Sequence, residues 1–195
     1  PLARKASQLL ANIFGDDPYQ VTNVLAGSGE KLQQVYDNVL DLEKNTIESK
    51  NGGSLTANMV LSKANFENYK HLIYQLTLMV DRIPNILGVD KSRTYLVLFE
   101  NNMELRPTGG FIGSFGLLKF DSGRLSEVTI SDVYSADGQL NGHVEPPAPI
   151  KEHLGEANWW LRDSNWDPDF PTSAKRAEWF LDKEISQSVD GVISI

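Results

Sequence analysis

Thr94-Tyr95-Leu96-Val97-Leu98-Phe99 decides the fold, because these six consecutive β-branched, aliphatic and aromatic residues offer no charged face. A run of this length reads as a strand buried on both sides, which requires a layer above it and another below. Phe111 to Phe120 reads as a second strand, and Leu125, Val128 and Ile130 mark a third. Asp121-Ser122-Gly123 between them is a turn signal, so these two strands are expected to form a hairpin. Asp190 to Ile195 reads as a fourth strand. It follows a helix from about Thr172 to Ile185, with Ala174, Ala177, Phe180, Leu181 and Ile185 facing the sheet. Helix followed by buried strand implies an α/β or α+β domain built on a central mixed sheet.

Toward the N-terminus the apolar period changes from that of strands to that of helices. Leu2, Ala6, Leu9 and Ile13, with Leu10 beside them, form one stripe, which Gly15-Asp16-Asp17-Pro18 ends. Pro18 can start a shorter element that fades at Gly27-Ser28-Gly29. From Glu30 to about Glu48, Leu32, Val35 with Tyr36, Val39 and Leu42 repeat a helical face, and Asn51-Gly52-Gly53-Ser54 is a flexible break. Phe66, Tyr69, Ile73, Leu76, Val80 and Ile83 then mark the longest helix, expected to stop at Pro84. The organisation expected is a helical layer over residues 1–87, packed against the first part of an α/β domain over residues 88–195. His71, beside the long apolar face, reads as a surface or partly buried histidine.

The 195 residues carry a formal net charge of −8 and no Cys. A negative chain without a Lys/Arg block repels phosphate backbones, so no nucleic-acid partner is expected, and any anionic ligand needs a local basic site. Without Cys there is no disulfide, thiolate or cysteine–zinc chemistry, and three scattered His residues offer little to zinc. No stretch approaches the roughly 18 apolar residues of a membrane helix. The sequence starts without Met in amphipathic sequence and ends inside the apolar run Val192 to Ile195. It therefore reads as part of a longer protein, whose further segments, or a partner chain, would complete the sheet.

Three stretches could carry chemistry. Glu100-Asn101-Asn102-Met103-Glu104-Leu105-Arg106-Pro107-Thr108-Gly109-Gly110 follows a buried strand, where α/β folds place their ligands. Gly109 and Gly110 would let backbone N–H groups approach an anion that Arg106 holds in its planar fork. On the other reading the glycines make a tight connection and Arg106 pairs with Glu104 or Glu100. Neither a Walker loop nor a dinucleotide fingerprint is present.

Trp159 to Pro171 is the second stretch, with three Trp and three Asp in the eleven residues from Trp159 to Asp169. Each carboxylate needs water, a cation or donors. Asp163, Asp167 and Asp169 could hold a divalent cation such as Mg2+, with Asn165 nearby, or could cap backbone N–H groups, Asp169 or Thr172 capping the next helix. The segment lacks the Gly and Glu of an EF-hand. The tryptophans anchor the loop or form a platform for a sugar ring. Third, Ser131-Asp132 could reach a ligand at the strand ends. His143 and His153 show no partnered spacing, and without a G-x-S-x-G elbow a serine hydrolase is not expected.

Asn101-Asn102-Met103-Glu104-Leu105-Arg106-Pro107-Thr108-Gly109-Gly110-Phe111-Ile112-Gly113-Ser114, Arg162-Asp163 through Pro168-Asp169-Phe170-Pro171, and Val189-Asp190-Gly191-Val192-Ile193 resemble a bacterial family of uncharacterised domains. Such domains occur in large membrane-anchored, envelope-facing proteins, so the resemblance implies an extracytoplasmic structural or binding domain at the cell membrane. No established activity comes with it. Arg106, then Arg162-Asp163, then Asp190 to Ile195 are also similar in order to the LytR–CpsA–Psr envelope enzymes. That second likeness implies transfer of a glycopolymer from a polyprenyl-pyrophosphate carrier to a cell-wall acceptor. Arg106 and Arg162 would spread the diphosphate charge, a divalent ion would bridge Asp163 to its oxygens, and another carboxylate would activate the acceptor hydroxyl. Read from the residues themselves, Asn101, Asn102, Gly109, Gly110 and Ser131 are the candidate ligand-binding set. The departures are a long insertion before Arg162-Asp163 and fewer arginines than that family carries.

Overall fold

A computed structural model describes residues 11, 13–15, 21, 23, 25, 27–48 and 56–195. Most of the expected N-terminal stripe, together with the breaks at 16–18 and 51–54, lies outside the described residues. The chain divides into two compact units: residues 1–91 with 122–124, and residues 92–121 with 125–195.

The first unit is helical, with α1 (Ser28–Glu48) packed on α2 (Thr56–Ile86). Leu32 and Ile73 are buried, and Lys70 ties the pair by donating to Glu43 at 2.9 Å and to Glu67 at 2.6 Å. Not every expected core residue is covered. Tyr69 and Leu76 on α2 and Val35 and Leu42 on α1 are exposed. A helix of period 3.6 offers one stripe to one neighbour, and α2 carries two side by side. The inner stripe holds Ile73, and the outer one holds Tyr69, Leu72, Leu76 and Met79. Pro84 does not stop α2 but sits in its last turn, where the backbone closes through Leu87 N–H to the Ile83 carbonyl at 2.8 Å. His71 is exposed.

The second unit is an α/β arrangement around a mixed sheet of four strands: β1 (Arg93–Arg106), β2 (Gly109–Asp121), β3 (Arg124–Asp132) and β4 (Gly191–Ser194). Their order is β3-β2-β1-β4, with β1 antiparallel to β2 and parallel to β4. Leu96, Val97 and Leu98 are all buried, as an apolar run covered on both faces requires. Ser122 and Gly123, at φ 53° and 82°, make the tight turn between β2 and β3. The main core gathers Leu96, Leu98, Ile112 and Phe115 from the sheet with Ala177, Phe180 and Leu181 from α4 (Phe170–Ile185). Full burial of a side chain such as Phe180 contributes about 1.5–3 kcal/mol.

β1 and β2 extend further than expected. Residues 100–110 are not a loop after a strand but, with a turn at Pro107-Thr108, the far part of a hairpin ladder that runs from Arg93↔Phe120 to Arg106↔Gly109. The register shifts between Phe99 and Glu100, and again between Asn101 and Leu105, so this part is an irregular, solvent-facing ribbon. Asn101 shapes the irregularity: its Oδ1 accepts the Met103 N–H at 3.1 Å and its Nδ2 donates to Glu104 at 3.4 Å.

The long stretch between β3 and α4 is not structureless. It contains α3 (Val133–Asp137), a π-type turn at Ile150–Leu154 and a 3₁₀ turn at Leu161–Asp163. Among the described residues no helix is long and apolar enough to cross a membrane.

Candidate functional site

The β1–β2 ribbon and the tryptophan–aspartate segment meet. Arg106 Nε donates to Asp163 Oδ1 at 3.0 Å, and Thr108 Oγ1 donates to the Asn165 carbonyl at 3.3 Å. Asn165 is fully buried, and its Nδ2 donates to Glu100 Oε1 at 3.1 Å and to the Gly110 carbonyl at 2.8 Å. The Trp159 indole folds back over this segment. It donates to the Asp163 carbonyl at 2.8 Å and stands edge-on to Phe180 with ring centroids 5.5 Å apart. Both aromatic and polar parts of one side chain are therefore used.

Arg162, on the 3₁₀ turn, reaches two further carboxylates. Its Nη1 donates to Asp137 Oδ2 at 2.7 Å and its Nη2 to Glu156 Oε2 at 2.9 Å, while Nε lies 3.6 Å from Asp163 Oδ2. The guanidinium also faces the Tyr134 and Trp160 rings, at 5.4 and 5.2 Å. Its side chain is 13% exposed, that of Arg106 11% and that of Asp163 3%. The two arginines thus converge on one buried carboxylate.

Electrostatics follow from that burial. Desolvation pushes Asp163 up against the opposing pull of Arg106, and pushes Asp137 up against that of Arg162. Burial also works against the charge on Arg162, but its hydrogen bonds to Asp137 and Glu156 outweigh it and hold the guanidinium above its ordinary value. Glu184, on the buried face of α4, accepts the Leu161 N–H at 3.1 Å. Desolvation, reinforced by Asp137, pushes it up to about 8.

A backbone N–H of the glycine pair does meet an anion, and the anion is the chain's own. Gly110 N–H donates to Glu100 Oε2 at 3.0 Å. Gly109 lies at φ 153°, and a Cβ there would run into Glu100 Oε2; one on Gly110 would run into the Asn101 carbonyl. Gly109 is favoured by its positive φ, and Gly110 because the Asn101–Asn102 backbone already occupies the space a Cβ would need. Arg106 pairs with neither Glu104 nor Glu100. Its partner Asp163 lies 57 residues away.

The other expected site residues scatter. Asn101 serves the ribbon backbone, Asn102 is exposed, and Ser131 is half-buried near the end of β3. Asp167 Oδ1 accepts the Asp169 N–H at 2.8 Å. Asp169 Oδ2 caps α4 through Thr172 N–H at 3.1 Å and Thr172 Oγ1 at 2.7 Å. Among the described residues no group of three or more His, Asp or Glu side chains is placed to hold a metal ion. Asp190 joins β4 to β1, accepting from Arg93 Nη1 at 2.6 Å and from Thr94 N–H at 2.9 Å. His143 is exposed and lies 2.9 Å from Glu145.

Sequence reasoning assigned no role to Asp137, Glu156 or Glu184, although Asp137 lies in the oxygen-rich stretch that starts at Ser131-Asp132. Glu184 also carried a signal: it lies four residues after Phe180 and three after Leu181, on the stripe that faces the core. The network sets two guanidiniums among three carboxylates, Asp137, Glu156 and Asp163, with Glu184 nearby as a group that burial keeps protonated. An incoming diphosphate would meet more negative than positive charge, and would have to displace carboxylates that already hold the arginines.

No curated protein and no solved structure matches the chain. The family described as "Protein of unknown function (DUF4012)" matches residues 90–195, more than half of the chain and the whole of the unit that contains this network, and the chain belongs to that family.

Proposed function

We propose that this chain is a structural or binding domain displayed on the extracytoplasmic face of the cell envelope by a membrane-anchored protein. The observation that supports a binding module over an enzyme is the pairing of both arginines inside the protein. Arg106 is held by Asp163, and Arg162 by Asp137 and Glu156. On this reading the network fixes the β1–β2 ribbon against the 3₁₀ turn, and the ribbon offers a constant outer surface on which Asn102, Met103 and Leu105 stand in solvent. The envelope location rests on the resemblance of the ribbon and of the Arg162–Pro171 segment to domains of envelope-facing proteins.

The alternative is a metal-dependent phosphotransferase that moves a glycopolymer from a polyprenyl-pyrophosphate carrier to a cell-wall acceptor. Its support is the convergence of Arg106, Arg162 and Asp163. It requires each guanidinium to exchange a buried carboxylate for the ligand, which makes it the weaker reading.

Location is tested on intact cells producing the protein at its natural length, using a membrane-impermeant amine-reactive biotin. Lys151 and Lys183, with side chains 57% and 51% exposed, are the reporters. They are expected to be labelled before lysis. Labelling only after lysis would place the domain inside the cell and overturn the envelope reading.

A further inference from the structure

Glu184 is buried, and its two oxygens have different surroundings. Oε1 accepts the Leu161 N–H at 3.1 Å, whereas Oε2 is buried without a hydrogen-bond partner. A carboxylate in that position leaves half of its charge in a dry environment with no donor.

The groups around it do not supply one. Asp137, on α3, repels a second negative charge. Arg162, on the 3₁₀ turn, attracts it, but its Nη1 and Nη2 already donate to Asp137 and Glu156. Asp163 on the same turn accepts from Arg106. β4, which also packs on α4, carries no charged residue between Gly191 and Ser194. On α4 itself, Asp182 and Lys183 pair with each other at 3.3 Å with half-exposed side chains. Asp137 Oδ1 is a second buried oxygen without a partner in this cluster. A proton on Glu184 removes the buried charge and turns one of its oxygens from an acceptor into a donor.

We propose that Glu184 is a proton-operated latch: as a neutral acid it closes α4 against the Leu161–Asp163 turn, and loss of its proton loosens that joint. The turn carries Arg162 and Asp163, so loosening it also slackens the ties to α3 and to the ribbon. The direction with pH follows from linkage. The folded protein holds this proton up to about 8, against an ordinary value of 4.5. The stability it contributes is complete below the ordinary value, falls as pH rises between the two, and is gone above the higher one. The latch depends on neither the cellular location nor the ligand of the domain.

Carboxyl carbon NMR on the wild-type protein reads the titration of Glu184, and amide exchange at Leu161, corrected for base catalysis, reads the joint. Glu184 is expected to titrate close to pH 8 rather than near 4.5. Protection at Leu161 is expected to drop about tenfold or more between about pH 6.5 and about pH 9. Glu184→Gln keeps an acceptor for Leu161 but cannot ionise, so its Leu161 protection should not change over that range. A titration below about pH 6, constant Leu161 protection in the wild type, or a parallel fall in Glu184→Gln would each overturn the latch. The two wild-type measurements decide the matter even if the variant does not fold.

Discussion

Arg162→Met will destabilise the sheet unit by about 3–5 kcal/mol, the cost of breaking a buried ion pair from one side. Methionine fills much of the space and keeps contact with the Tyr134 and Trp160 rings, so the loss is mainly electrostatic. Asp137, buried and already short of one hydrogen bond at Oδ1, would lose the donor at Oδ2. Glu156 and Asp163 would lose the same cation. Urea denaturation followed by tryptophan fluorescence measures the effect, since Trp159 and Trp160 flank the site. Arg162→Met combined with Asp137→Leu should recover part of the loss, because the second change removes the carboxylate left unpaired. A fully stable Arg162→Met protein would mean that the guanidinium does not hold this unit together.

Gly110→Ala is the second large effect, of about 3 kcal/mol. The new methyl group would collide with backbone at Asn101 and Asn102 rather than with a movable side chain. Relief requires the two ribbon strands to separate, and separation removes the Gly110 N–H bond to Glu100 and the Asn165 bond to the Gly110 carbonyl. The damage should spread from the ribbon to the tryptophan–aspartate segment. Amide exchange should show lost protection from Glu100 to Ile112, with the β1–β4 pairing around Leu96 retained. Unchanged protection of the ribbon would show that the crowding at this position is not real.

The sheet was readable because its central strand advertises itself. Tyr95 to Phe99 is apolar on both faces, and the turn signal at Asp121-Ser122-Gly123 leaves one plausible pairing for the strands on either side. The rest of β1 was not readable, since Glu100-Asn101-Asn102-Met103-Glu104 is polar and a ribbon wet on both faces shows no alternation. Its strand character comes from the ladder to β2 and from the Asn101 side chain. The same limit applies to α2, where two apolar stripes give one rhythm and sequence does not say which is covered.

At the site, residue types were legible and partners were not. Arg106, Arg162, Asp163 and the glycine pair stand out by composition, and the Asp169 cap is visible from its spacing to Thr172. Local reasoning pairs Arg106 with a carboxylate two or six residues away. The fold instead brings Asp163 to it across 57 residues and fills the glycine cradle with Glu100. Whether an arginine greets a ligand or a neighbouring aspartate depends on such long-range packing, which the order of residues does not display.

The commitment of both arginines to internal carboxylates is best tested by following their Nε–Hε resonances in the 15N-labelled protein during titration with pyrophosphate and magnesium. Both signals are expected to stay in place, slowly exchanging and insensitive to the anion, with any movement confined to exposed lysines. A saturable shift of the Arg106 and Arg162 signals together would contradict this account and restore the diphosphate site.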